Sequence, residues 1–414
     1  MKRGYRLKPV SSRTPATRRC FLEASAGLAV ATWLSPAAPA SPNSGEKVLG
    51  TLPFVGEGAF PLDTTVGAGL GQRRALDLST LSRETLVTPQ DKFFIRTGCP
   101  DRLPPTTSWK VRVHGLVETP VEIPLEELKR DVAAQGAHLL ECAGNARAAH
   151  FGLMSAASWT GVQLESLLER VRRRPRATQV LVSGFDEHST LDPGSVPGAS
   201  WIFGLDQIRE SGAFLGTEMN GAPLSPEHGY PLRLVVPGWY GCTAIKWVNE
   251  IALVDDEAPA TDQMREYAGR THQDPAGPRD RFLMEAGRRP EGPPLAKDFQ
   301  PATIDPVALP VRVEKIRDGG GRIFYRVVGV LWGGPTPARA LGIRLNPDLG
   351  FVPVEEIGNG DRRTWTLWSH TFPPPAPGRY RIELAVKDPG VRTRRLDVGF
   401  YARQIEIATA GGGK

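Results

Sequence analysis

The chain has 414 residues, of which 40% are hydrophobic and 23% charged, with 45 glycines and 38 prolines. That balance excludes a collagen-like or disordered chain and favours a loop-rich, β-heavy globular protein over a helical bundle, with room for two domains and a leader. The formal charge of +6 resides in residues 1–40, so the remainder is neutral and gives no global reason to expect a nucleic-acid partner.

Residues 1–40 read as a Tat-type export signal. Arg18 and Arg19 precede Phe21 and Leu22, an apolar stretch covers 24–34, and Ala38, Pro39 and Ala40 supply a small-residue cleavage pattern. This is the order of an export signal, and the arginine pair belongs to the pathway that carries folded proteins, so the expected location is the periplasm. The apolar stretch is too short for a bilayer span, and no membrane span is expected in the mature chain. Loss of the leader removes Cys20 and leaves Cys99, Cys142 and Cys242. No CxxC or CxxCH occurs, so neither a zinc ribbon nor covalent haem is signalled. Three cysteines cannot all pair, so at least one is a free thiol or a metal ligand.

Residues 41–90, rich in Gly, Pro and Thr, are expected to wrap the surface as an irregular extension. Alternation over 109–115 (WKVRVHG) predicts a strand, 121–124 a short extended segment, and 124–129 a helix start. The segment 161–172 (GVQLESLLERVR) carries Val162, Leu164, Leu167, Leu168 and Val171 on one helical face. The basic run 170–176 reads as a solvated helix end. Buried strands are expected over 179–183 and 232–237. The polar connection 256–305 is too long for an ordinary turn and reads as a linker or functional loop. Strand-like segments then recur at 311–316, 322–331, 340–345, 364–369, 379–386 and 398–407, the spacing of an antiparallel β-sandwich.

Three segments carry the chemistry: 93–96 (FFIR), 139–147 (LLECAGNAR) and 227–238 (EHGYPLRLVVPG). Together with 159–162 (WTGV), 218–221 (EMNG) and 245–247 (IKW), they resemble the sulfite oxidase family of molybdenum enzymes. The resemblance runs from about Phe93 to Ile251 and returns weakly at 329–334, 365–369 and 377–380. It implies an α+β fold: a mixed α/β catalytic domain over 91–304, with the long loop from 255, then an immunoglobulin-like dimerisation domain over 305–408.

The resemblance also implies a molybdenum–molybdopterin cofactor, with Cys142 as the metal ligand. A soft thiolate suits a metal already bound by the sulfurs of a pterin dithiolene. Arg96 and Arg147 would bind an anionic substrate through their forked donors. Tyr267 aligns loosely with the family's active-site tyrosine. His228 and Arg233 match the positions that hold the pterin phosphate, with Lys246 beside them, and Asn145 would hydrogen-bond the pterin edge. The implied reaction is oxidation of a small sulfur oxyanion, sulfite first, by oxo transfer. The chain lacks a haem motif, so the electrons would pass to an external c-type cytochrome, and a homodimer is expected. Three departures from the family pattern stand out: Gly98 in place of a frequent histidine, Ala146 in place of a frequent arginine, and a C-terminal stretch 397–407 without the usual Asn-x-Gly-Tyr ending. The alternatives are another sulfur substrate or an S- or N-oxide on the same cofactor and, further off, a non-catalytic exported binding protein.

Overall fold

Alternating apolar residues along short extended segments leave one option for burial, sheet against neighbour, and strands dominate the computed structural model. It describes residues 45–184, 199–271, 293–359, 361 and 363–408. The leader with Arg18 and Arg19, and residues 272–292 of the loop 256–305, lie outside that range. In chain order the strands are β1 (Lys47–Leu52), β2 (Phe54–Val55), β3 (Lys110–Gly115), β4 (Val121–Pro124), β5 (Ala133–Glu141), β6 (Met154–Gln163), β7 (Gln179–Gly184), β8 (Ser200–Gly204), β9 (Phe214–Met219) and β10 (Ala222–Pro223). There follow β11 (Arg233–Val235), β12 (Val248–Val254), β13 (Val307–Arg317), β14 (Ile323–Trp332), β15 (Leu341–Leu345), β16 (Val352–Pro353), β17 (Glu356–Ile357), β18 (Thr366–Phe372), β19 (Gly378–Val386) and β20 (Arg403–Ile407).

Four sheets result. One runs β10-β9-β6-β5, with β11 also paired to β9. The second runs β4-β3-β12-β7-β8 and is mixed, because β12 lies parallel to β3 and antiparallel to β7. The other two, β1-β13-β14-β18-β17 and β16-β15-β19-β20-β2, contain the strands after residue 305. Trp159, Trp201 and Trp247 fill the interior of the first pair of sheets, and Trp365 and Trp368 that of the second. Among the described residues the helices are short, the longest being Leu205–Ser211, which ends on Gly212 in the left-handed region. The α+β expectation holds, with the balance strongly toward strand.

Two local expectations change. The amphipathic segment 161–172 is helical only over Leu164–Glu169, because Gly161, Val162 and Gln163 remain paired with Gly216, Leu215 and Phe214 in the sheet. The helix begins where the chain leaves that sheet, and its buried Leu164, Leu167 and Leu168 are the face read from the sequence. The extension 41–90 is not wholly irregular. β1 pairs with β13 and β2 with β20, so this segment adds a strand to each sheet of the C-terminal pair.

Candidate functional site

The site begins at the end of β5. Leu139, Leu140 and Glu141 pair with Ala156, Ser155 and Met154, and the Cys142 N–H continues the ladder to Leu153 O at 2.9 Å. The chain then turns. Asn145 N–H donates to Cys142 O at 2.9 Å, and Gly144 N–H donates to Cys142 Sγ at 3.3 Å. Cys142 is 4% exposed, and its sulfur enters a cavity enclosing about 920 Å3 of empty space together with its mouth.

Arg96 reaches the same cavity from the FFIR segment. Ile95 bridges to Arg74, and Phe94 N–H donates to Ser155 Oγ at 3.1 Å, which fixes the segment against β6. Tyr267, directly after the helix Asp262–Glu266, lines the cavity too. Burial raises its hydroxyl pKa, the neighbouring Cys142 adds to that, and Arg96 opposes it. Tyr267 therefore faces the cavity as a protonated donor. Cys242, 7% exposed, completes this end, and burial together with Cys142 pushes its thiol well up.

The other end is cationic. Arg233 on β11 is 6% exposed and donates to two carbonyls, His228 O at 3.2 Å and Ala244 O at 3.4 Å. Among the described residues its Nε has no hydrogen-bond partner and no carboxylate pairs with it. Burial pushes its pKa down to about 10. Lys246 donates to Thr97 O and to Glu227 O, the latter at 2.8 Å. His228 is hydrogen-bonded through Nε2 to Gln90 O at 3.1 Å, and burial, with Arg233 beside it, lowers its pKa to about 3. The ring is neutral at pH 7.

The cavity thus gathers Cys142, Arg96, Tyr267, His228, Arg233 and Lys246. Two expected members lie elsewhere. Arg147 is turned toward the C-terminal strands, where its guanidinium donates to Ala402 O at 2.6 Å. Asn145 is fully buried under the Cys142 turn, accepting from Leu153 N–H at 3.1 Å and donating to Glu141 at 3.4 Å. Its side chain is thereby committed to the turn and does not face the cavity. Cys242, Gln263 and Glu266 line the wall without having been singled out in the sequence. Cys242 had one available signal, its position between the marked segments 227–238 and 245–247.

Comparison with known proteins decides what the cavity belongs to. Residues 98–261 match the family model described as an oxidoreductase molybdopterin binding domain. Sulfite oxidase from Gallus gallus is 30% identical over 320 residues, covering 71% of this chain and 64% of that protein. Residues 98–261 thus form a molybdopterin-binding oxidoreductase domain, and the chain is similar to the sulfite oxidase family. A nitrate reductase [NADPH] from Mycosarcoma maydis is also similar, at 29% over 296 residues, covering 60% of this chain and 30% of that one. The chain therefore spans less than two thirds of the length of either relative. The crystal structure of the sulfane dehydrogenase SoxCD from Paracoccus pantotrophus shares the fold, with a TM-score of 0.60 at 18% identity over 83% of this chain and 89% of that one.

The sulfite oxidase family cofactor is a molybdenum ion on a molybdopterin, and the donor set fits both parts. A buried guanidinium without a counter-charge is costly, and an entering phosphate would supply the missing anion. Arg233, with Lys246 and His228, forms such a place. At the other end Cys142 offers a sulfur already receiving an N–H bond, the arrangement that steadies a thiolate on a metal. Gly98 also gains a physical reason: a Cβ there would stand 2.1 Å from Gly69 O and 2.5 Å from Gln72 Cβ. The N-terminal segment occupies the space that a histidine would need.

Proposed function

We propose that this protein is a molybdenum oxidoreductase that oxidises a small sulfur oxyanion, sulfite first, in the cavity between Cys142 and Arg233. The observation that carries the reading is one cavity with a buried thiol at one end and an uncompensated buried guanidinium at the other. When bound, the cofactor supplies two-electron oxygen-atom transfer. The protein's residues do the rest. Cys142 ligates the metal. Arg233, Lys246 and His228 hold the pterin phosphate. Arg96 attracts and orients the anionic substrate beside Cys142, which is positioning joined to electrostatic stabilisation. The Tyr267 hydroxyl, kept protonated by burial, donates a hydrogen bond to substrate oxygen. Substrate contact falls to Arg96, since Arg147 points to Ala402.

Electrons leave to an external c-type cytochrome in this reading. The arginine pair at 18–19 supports export of the folded, loaded chain to the periplasm, and cell fractionation of an Arg18→Lys, Arg19→Lys variant checks it. Among the described residues no helix is long and apolar enough to cross a membrane. A second reading, a larger sulfur substrate on the same cofactor, is favoured by Ala146, which stands where the family often carries a further arginine. The deciding experiment is metal analysis of the purified protein with sulfite turnover followed by cytochrome c reduction. Stoichiometric molybdenum with turnover on sulfite is expected, and both should vanish in Cys142→Ser, because a hydroxyl is a harder and poorer donor. Molybdenum without sulfite turnover would move the proposal to the larger substrate. Absence of molybdenum would end it.

A further inference from the structure

The residue before the candidate metal ligand is a glutamate with no exposure at all, and it does not line the cavity. Its carboxylate points the other way, into the C-terminal strands. Oε2 accepts from Trp332 Nε1 at 2.8 Å, and Oε1 accepts from the Tyr401 hydroxyl at 2.9 Å. The Asn145 amide, from the Cys142 turn itself, reaches Oε1 at 3.4 Å. Trp332 ends β14 and Tyr401 lies two residues before β20, and their rings pack edge to face with centroids 5.5 Å apart. Sequence separations of 191 and 260 residues make these bonds long-range ties.

A second tie reaches the facing wall. Arg395 lies over the Tyr240 ring, 4.4 Å from its centroid, and close enough to Tyr401 and Glu141 for both to raise its pKa. Tyr240 starts the turn Gly241–Thr243 that carries Cys242. Gly241 lies so near the Cys142 turn that a Cβ on it would be 3.1 Å from Glu141 O and 3.7 Å from Cys142 Cα. The two walls bearing the thiols are thus both backed by side chains from the C-terminal part of the chain.

A buried carboxylate is costly unless its oxygens are occupied, and losing one partner leaves an uncompensated group. With several donors fixed on a separate pair of sheets, Glu141 has few positions open to it, and Cys142 is covalently next to it. We propose that Tyr401 and Trp332 are positioning residues that hold the Cys142 sulfur in the cavity by clamping Glu141. The clamp makes the C-terminal strands part of the site. The inference rests on the reading of Cys142 as the metal ligand, since a clamp on an inert thiol would have no use.

The test uses full-length protein made with and without cofactor. The variants are Tyr401→Phe, Trp332→Phe and Glu141→Gln. Tyr380→Phe is the control, because its hydroxyl donates to Ala376 O at 2.6 Å in the same sheets and makes no contact with Glu141. In the cofactor-free protein, iodoacetamide labelling of Cys142 is timed by peptide mass spectrometry. In the loaded protein, molybdenum per chain is measured after prolonged gel filtration. Tyr401→Phe and Trp332→Phe should each raise the labelling rate and the metal loss about ten-fold, the usual scale for partners behind a metal ligand. Glu141→Gln, whose amide oxygen still accepts a donor, should fall between them and wild type. Tyr380→Phe should change neither. If Tyr401→Phe and Trp332→Phe label and retain metal like wild type, or if Tyr380→Phe matches them, the clamp is overturned. Should wild type bind no molybdenum, the functional reading fails, while the labelling rates still decide the clamp.

Discussion

The two arginines of the cavity face different parts of one ligand set, and their loss should separate in kinetics. Arg96→Gln should keep its molybdenum but raise KM and lower kcat/KM by about ten- to a hundred-fold, the cost of one lost charge-assisted contact. Arg233→Gln should instead lose metal, with activity per bound molybdenum near normal. Metal content and steady-state kinetics on both variants check this, and the reverse pattern would invert the map of the cavity. His228 adds a pH dependence. Its folded pKa of about 3 lies below the 6.5 of the unfolded chain, so below pH 6.5 the unfolded state takes a proton that the buried ring refuses. The stability present above pH 6.5 should be lost as the pH falls toward 3, on the order of 5 kcal/mol in the cofactor-free protein. Arg233, Lys246 and Arg74 all disfavour the charged ring, and a bound phosphate would offset them and weaken the effect. Denaturant unfolding of wild type and His228→Gln across that range should show the slope only in wild type. At this scale the sequence was informative about residue type and less so about direction. Cys142, Arg96, His228 and Arg233 stand in motifs whose neighbours betray them. Arg147 and Asn145 belong to the same motif, but which way each points depends on Ala402 and Leu153, which no local pattern reveals.

Elements were legible where one face is buried. β3 alternates exposed and buried along Lys110–Val113, and β13, β14 and β19 are continuous enough to announce themselves. β1 was not legible, because five of its six residues are exposed and its pairing to β13 rests on backbone bonds, which leave no hydrophobic period. The helix 161–172 was overdrawn for the opposite reason. Its apolar period is genuine, but sheet pairing at Gly161–Gln163 prevails over helical propensity there. The contact between the N-terminal extension and the FFIR segment gives a prediction of its own. Gly98 is a close approach between two stretches of backbone, and a Cβ at 2.1 Å from Gly69 O has no flexible side chain to displace. Gly98→Ala should therefore cost about 1–3 kcal/mol, as overpacking does. A fall of several degrees in the melting temperature is the expected measurement, with a rise in KM if the displaced segment carries Arg96 with it. An unchanged melting point would mean that the extension yields freely at this position.

The whole molecule has an uneven surface, and the unevenness bears on assembly. Of the seven exposed large hydrophobic side chains among the described residues, Val48, Leu49, Leu349 and Val352 lie on or beside the strands of the C-terminal pair of sheets. Val48 and Leu49 belong to β1, the end strand of its sheet, and Val352 belongs to β16, the end strand of the other. An end strand offers unpaired backbone groups, and apolar side chains on it favour pairing with another chain unless charge prevents it. A neutral chain after residue 40 brings little global repulsion to oppose such contact. A symmetric homodimer is expected on these grounds, since a closed two-fold contact removes the open edge from both copies at once. Light scattering at micromolar concentration should return twice the chain mass. Two double variants distinguish the edges: Val48→Glu with Leu49→Glu, and Leu349→Glu with Val352→Glu. Exposed substitutions of this kind usually alter stability by no more than about 0.5 kcal/mol, so melting should stay near wild type in both. The pair on the contacting edge should yield monomer, because two buried, unpaired carboxylates on each copy cannot be accommodated there. A wild-type mass of one chain would remove the dimer, and a dimer surviving both double variants would place its contact away from these strand ends.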